Sequence, residues 1–165
     1  MNQNQWLEKI PPNIGWYFSG FTDGEGSFNV SIKKVLDPKL RWRLEPRFNV
    51  SQRDPTVLQE MQSWLGCGTL RKRRDGVMYY DVTRVTVLKE KIIPFFERFT
   101  LISATKRKNF ELFKKIIFLM SEGAHKNPEG FESILVIREK LNEGKGRKRK
   151  YNLRDVLRKR ESSET

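Results

Sequence analysis

Apolar residues recur at spacings of three and four over Ile14, Tyr17, Phe18 and Phe21, which predicts an amphipathic helix across residues 11–24 with Asn13 as its cap. The glycines and acids of DGEGS, residues 23–27, are expected to break it. Residues 27–33 then alternate strictly, with Phe28, Val30 and Ile32 on one side and Asn29, Ser31 and Lys33 on the other, the pattern of a half-buried strand. After a turn near Asp37 and Pro38 the alternation returns over 41–51. Trp42, Leu44, Phe48 and Val50 face inward there, and Arg41, Arg43, Glu45, Arg47, Asn49 and Ser51 face outward. Asp54 and Pro55 open a helix that runs to Gly66. A second strand pair, GTLRKRR and VMYYDVTRV, is expected to turn at Asp75 and Gly76, with Arg71 and Arg73 on one face and Tyr79, Asp81 and Thr83 likewise sharing one. Helical periods fill residues 86–99 (interrupted at Pro94), 103–121 and 128–142, and a short helix starts at Asn152.

Two antiparallel hairpins with segregated helices predict an α+β domain, a four-stranded antiparallel sheet with helices packed on one face. The other face collects Arg, Lys, Asn, Ser and Thr side chains. The core domain is placed at residues 1–144 and a basic tail with its short helix at 145–165.

Charge gives that face a partner. The chain of 165 residues carries 33 Lys and Arg against 20 Asp and Glu, a formal net charge of +13, which in a folded chain points to a polyanion and first to nucleic acid. Residues 145–160 alone hold nine basic side chains against Asp155. With 37% hydrophobic and 12% aromatic residues the composition is that of a folded chain, not a disordered one. No apolar run approaches the roughly 18 residues of a membrane span, so no membrane partner is expected. Cys67 and His125 are single representatives of their types, which excludes disulfide frameworks and zinc fingers and leaves hard oxygen ligands as the available metal chemistry. Both read as structural residues, and Trp42, Trp64, Phe95, Phe96 and Phe99 read as core.

The chemistry concentrates at FSGFTDGEGS, residues 18–27, where Asp23 and Glu25 alternate with glycines at the end of the first helix. Acids at a helix C-terminus oppose its dipole, a local conflict that a divalent cation offsets. Pattern alone leaves open an ordinary helix-to-strand connection with two solvated acids.

Residues 18–26 resemble the nine-residue motif of the LAGLIDADG homing endonucleases, with Glu25 in place of the usual Asp at the eighth position. The order of helices and strands is similar to that family's αββαββα fold, and residues 106–120 and 127–142 resemble its helical C-terminal half. The resemblance implies that Glu25 holds a catalytic divalent metal beside the Gly24 carbonyl, and that Asp23 is the acid nearer the helix end. It implies that Gln52 positions water or the scissile phosphate, that Lys106 supports the water network, and that Arg53 lies near the pocket. Mg²⁺ is the implied cofactor, with Mn²⁺ able to substitute and Ca²⁺ expected to permit binding with little cleavage.

A single motif per chain supplies too few ligands for a shared site, so a homodimer is expected, its motif helices meeting through Ser19 and Gly20. Two basic sheets would then straddle double-stranded DNA with a pseudo-palindromic target. The DNA-facing candidates are Asn29, Ser31, Lys33, Arg41, Arg43, Arg47, Asn49, Ser51, Arg71, Arg73, Tyr79, Asp81 and Thr83 on the sheet and Lys148 in the tail. The implied activity is sequence-specific, staggered double-strand cleavage by an intron-encoded enzyme. It would be made inside a mitochondrion or chloroplast, or in archaeal or bacterial cytoplasm, since the N-terminus lacks a signal core or transit pattern. An RNA maturase and a non-cleaving DNA-binding protein are the alternatives on the same fold; Glu25 and Gln52 favour the nuclease, because binding alone needs no metal carboxylate.

Overall fold

A computed structural model describes residues 4–36, 41–143 and 149–161. The expected turn at Asp37 and Pro38, and Lys148, lie outside the described residues. The elements are α1 (Gln5–Glu8), α2 (Pro12–Glu25), β1 (Gly26–Lys34), β2 (Trp42–Gln52), α3 (Thr56–Leu65), β3 (Thr69–Lys72) and β4 (Met78–Val82). Helices α4 (Val85–Val87), α5 (Ile93–Arg98), α6 (Ala104–Ser121), α7 (Pro128–Glu139) and α8 (Leu153–Glu161) follow.

The strands form one antiparallel sheet in the order β1-β2-β4-β3. Register runs from Gly26 opposite Val50 to Lys34 opposite Trp42, and Val50 is in turn opposite Tyr80. This buries Phe28, Val30, Ile32, Leu44, Phe48, Val50, Tyr80 and Val82 on one face, as the alternation predicts. Helices cover that face. Phe28 is fully buried, its ring centroid 5.3–5.4 Å from those of Phe48, Phe96, Phe110 and Phe113. The rings stack, tilt or meet edge-on, arrangements favoured by the aromatic quadrupole.

Contacts between a side chain and nearby backbone fix several helix ends. Asp54 accepts from the Thr56 N–H at 2.9 Å, Ser103 caps α6, Asn127 caps α7 by accepting from Gly130 N–H at 2.8 Å, and Gly66 ends α3 at φ 62°. Other expectations need correction. Helix α2 begins at Pro12, and Asn13 lies within it and does not cap it. The helix also runs through Asp23 to Glu25, and Tyr17 is exposed. The β3–β4 connection is longer than a two-residue hairpin. Arg73 N–H donates to Val77 at 2.9 Å across a turn in which Gly76 takes φ 84°, the three-residue loop with a left-handed last position. Thr83 lies past the end of β4 and is exposed.

Pro94 does not interrupt the helical run. Residues Leu88–Ile92 widen to a π turn in which Ile93 N–H reaches back to Leu88, which relieves the clash of the proline ring with the preceding turn.

The exposed edge of β1 is covered. Arg138, on α7 and itself buried, donates Nε–H to the Val30 carbonyl at 2.7 Å, and Asn142 donates Nδ2–H to the Phe28 carbonyl at 2.7 Å. Capped carbonyls cannot template another strand. Within the tail, α8 is anchored by buried Val156, and Tyr151 sits edge-on to Trp42 at 4.9 Å.

Candidate active site and nucleic-acid interface

Helix α2 passes directly into β1, and Gly26 makes the junction possible. A Cβ there would lie 2.4 Å from Thr22 Cγ2 and 2.8 Å from the Thr22 carbonyl oxygen, so only glycine lets the chain turn this tightly. Glu25 is therefore delivered, exposed, at the point where helix becomes strand.

Asp23 is committed elsewhere. Its Oδ2 accepts from the N–H groups of Ile102 at 2.8 Å and Ser103 at 3.2 Å, tying the end of α2 to the start of α6, while Oδ1 is buried with no hydrogen-bond partner among the described residues. Ser103 in turn accepts from Lys106 N–H at 3.4 Å. The Lys106 ammonium donates to the Gly26 carbonyl. Burial pulls its pKa down from 10.5, and the charges of Asp23 and Glu25 act against that pull. Asp23, Glu25 and Gly26 of the motif thus all act on one lysine that lies far along the chain.

Gln52 ends β2 two residues beyond the Gly26–Val50 pair, which sets it level with the end of α2. It shares the parity of Val50 and therefore belongs to the helix side of the sheet. Its Oε1 accepts from Arg53 N–H at 2.9 Å, and Arg53 itself is exposed. The structure thus gathers Asp23, Gly24, Glu25, Gln52 and Lys106 at one end of the sheet, with Arg53 at its rim. Among the described residues no group of three or more His, Cys, Asp or Glu comes together to hold a metal ion.

The outer side of α2 departs from one expectation. Ser19 is buried and donates to the Thr100 carbonyl at 3.2 Å, so it stabilises its own protomer and is withdrawn from any contact surface. Gly20 and Gly24 are exposed with open space where a Cβ would stand, and Trp16 and Tyr17 are 48% and 53% exposed beside them. An open glycine pair four residues apart next to exposed aromatics admits close approach of a second helix.

On the face opposite the core, the register aligns Ser27, Asn49, Asp81 and Thr69 across all four strands, and Ser51, Tyr79 and Arg71 across three. Asn29 pairs with Arg47, Ser31 with Glu45, and Lys33 with Arg43. Apart from Thr83, Lys148, Arg41 just before β2 and Arg73 just after β3, the sequence-derived candidates all lie on this surface. Arg73 stacks over Tyr79, 5.1 Å from its ring centroid, and donates to its hydroxyl. Asp81 differs from the reading of a base-contacting side chain. It is 4% exposed and lies beneath Arg47 and Arg71. Sequence reasoning also missed Glu45 as the partner of Lys33 and Arg43, and Ser103 as the link from Asp23 to Lys106.

Among the described residues no helix is long and apolar enough to cross a membrane.

Residues 18–117 match the LAGLIDADG endonuclease family. Homing endonuclease I-ApeII of Aeropyrum pernix is 30% identical over 150 residues, covering 86% of both chains. A probable intron-encoded endonuclease of Neurospora crassa is 32% identical over 145 residues, but those cover 86% of this chain and only 32% of the relative, about a third of its length. Among solved structures, the homing endonuclease I-TnaI superposes with a TM-score of 0.72 at 28% identity, over 94% of this chain and 97% of that one. The LAGLIDADG homing endonuclease I-SmaMI bound to cleaved DNA gives 0.77 at 27% identity, over 92% of this chain and 49% of that one. The motif-bearing α2, the β1-β2-β4-β3 order of the antiparallel sheet and these matches along most of the sequence place the chain in the LAGLIDADG endonuclease family.

Proposed function

We propose that this protein is a homodimeric DNA homing endonuclease that makes a staggered double-strand break in a long pseudo-palindromic target. The observation that carries this reading is the junction of α2 and β1, where an exposed Glu25 stands beside a half-buried Lys106 at the end of a sheet whose other face is basic.

The residues fit a divalent cation only when two copies meet. One chain offers Glu25, the buried Oδ1 of Asp23 without a hydrogen-bond partner, and the Gly24 carbonyl, too few oxygens for a six-ligand ion. Pairing α2 helices across a twofold axis through Gly20 and Gly24 would double that set. Glu25, Asp23 and the Gly24 carbonyl of the two copies would hold Mg²⁺, and the ion would supply positive charge against the phosphate and its leaving oxygen. Mn²⁺ is expected to replace it, and Ca²⁺ to permit binding with little cleavage.

The protein's own residues do the remainder. Asp23 fixes the first turn of α6 and so aims Lys106. Lys106 holds protons and water next to the acids, and its lowered pKa lets it exchange a proton more readily than a solvated lysine. Gln52 offers an amide to water or the scissile phosphate from the helix side, and Arg53 offers charge at the rim. The basic face, with Arg forks for guanine and Asn for adenine, sets the register on duplex DNA. The relatives named as intron-encoded support the same origin for this chain, with synthesis in an organelle or in prokaryotic cytoplasm.

The test is incubation with Mg²⁺ and a plasmid carrying the uninterrupted form of the gene in which the coding sequence resides. A linear product with overhanging ends at the insertion point is expected; intact plasmid, while the protein binds the same duplex, would overturn the reading.

A further inference from the structure

Two acids interrupt the basic face of the sheet, and each lies between two cations. Asp81 on β4 meets Arg47 Nη1 at 3.3 Å from one flanking strand and Arg71 Nε at 3.7 Å from the other. Its side chain is 3% exposed, against 37% and 60% for the two arginines, so the carboxylate lies under guanidinium groups that face outward. Glu45 on β2, 22% exposed, meets Lys33 Nζ at 2.6 Å from the flanking strand β1 and Arg43 Nη2 at 2.5 Å from two residues back on its own strand. Burial works to raise the Glu45 carboxyl, but the hydrogen bonds and charges of Lys33 and Arg43 outweigh it and hold the group below 4.5, so it stays ionised at neutral pH.

We propose that Asp81 and Glu45 are positioning residues of the DNA interface, each fixing two basic side chains so that they read bases and do not simply grip any phosphate in reach. This rests on the DNA endonuclease reading above. A guanidinium has five N–H donors in a rigid plane, and Arg47 spends one on Asp81, which leaves a fork for a base edge in a direction set by the sheet. The acid also lowers the charge of each cluster from +2 to +1, which weakens attachment to DNA of any sequence. Freed from it, both arginines sweep a wider arc and find phosphates.

Asp81→Asn keeps the shape and removes the charge. Binding is measured in Ca²⁺ on the target duplex, on its single-base variants and on a scrambled duplex, over about 50–200 mM salt. Tighter binding to the scrambled duplex is expected, with a salt slope steeper by up to about 0.9. Preference for the target over variants at the positions read by Arg47 and Arg71 should fall at least fivefold. Equal weakening on all three DNAs with an unchanged slope would mean a merely structural role and would overturn the proposal. If Asp81→Asn fails to fold, Glu45→Gln at the more exposed cluster decides by the same readouts. If Arg47→Ala and Arg71→Ala leave binding to every duplex unchanged, the DNA-facing assignment itself fails and the proposal falls with it, an outcome distinct from unchanged behaviour in Asp81→Asn alone.

Discussion

The ammonium of Lys106, in the first turn of α6, donates to the carbonyl of Gly26 at the start of β1, 80 residues away in sequence. The bond closes a ring. Asp23 holds Ile102 and Ser103, Ser103 caps the turn that carries Lys106, and Lys106 returns to the residue after Glu25. Lys106→Met is therefore expected to reduce cleavage by about 10²-fold or more and to leave binding in Ca²⁺ intact. Burial lowers the Lys106 pKa, so the unfolded chain binds more protons between the folded value and 10.5. The stability owed to this group rises with pH across that window, and below it the cost of burying the charge is constant. Urea unfolding at pH 7 and pH 10 should show the parent gaining on Lys106→Met at the higher pH. Parallel profiles would contradict the assignment.

Glu25→Gln separates catalysis from recognition. The amide preserves shape and removes the charge that would attract a cation, so cleavage in Mg²⁺ should collapse. Binding in Ca²⁺ should survive or tighten, because one carboxylate fewer faces the phosphates. Undiminished cutting by this variant would remove Glu25 from the catalytic set.

Gly20→Leu tests the helix pairing. Within one protomer the added side chain meets open space, so the circular dichroism of the fold should not change. Across a twofold axis the same side chain would overpack a close helix contact, at a cost of about 1–3 kcal/mol. Sedimentation should show the mass shifting towards monomer, with loss of double-strand cleavage. A variant that remains dimeric and active would place the contact elsewhere.

Asn109 and Asn142 bond reciprocally, Nδ2 to Oδ1 at 2.9 Å and backbone N to Oδ1 at 2.9 Å, and Asn142 reaches on to the β1 edge. Asn142 does this at φ 55°, a left-handed conformation that asparagine tolerates better than most residues. Asn142→Ala should strand the Asn109 amide and the Phe28 carbonyl and destabilise the protein by about 1–3 kcal/mol, read as a lower urea midpoint. Asn142→Gly, which relieves the backbone but still lacks the amide, should recover only part of that loss.

Residues 27–33 and 41–51 declare themselves as strands because a period of two is a local property of the chain, and it commits every second side chain to the core or to the outer face. The same is true of Asp54 and Gly66, whose roles are played out within a few residues of backbone. The acids at 23 and 25 and the glycines around them stand out as a candidate site, because their conflict with the helix dipole is visible without any partner, while the same pattern also suits an ordinary helix-to-strand connection. What separates the two acids is not local. Both stand at the same helix end, yet Asp23 turns to Ile102 and Ser103 while Glu25 remains exposed, and only the packing of α6 against that end decides which. Ser19 and Gly20 are adjacent small residues that the sequence cannot tell apart. The rotation of α2 against the Thr100 carbonyl buries one and exposes the other. Asp81 reads as one more outward polar residue until register brings Arg47 and Arg71 over it from the strands on either side. Periodicity tells which face a side chain takes, since that follows from its own backbone. Its partner across the chain depends on register and helix rotation, which are settled only when the whole core closes.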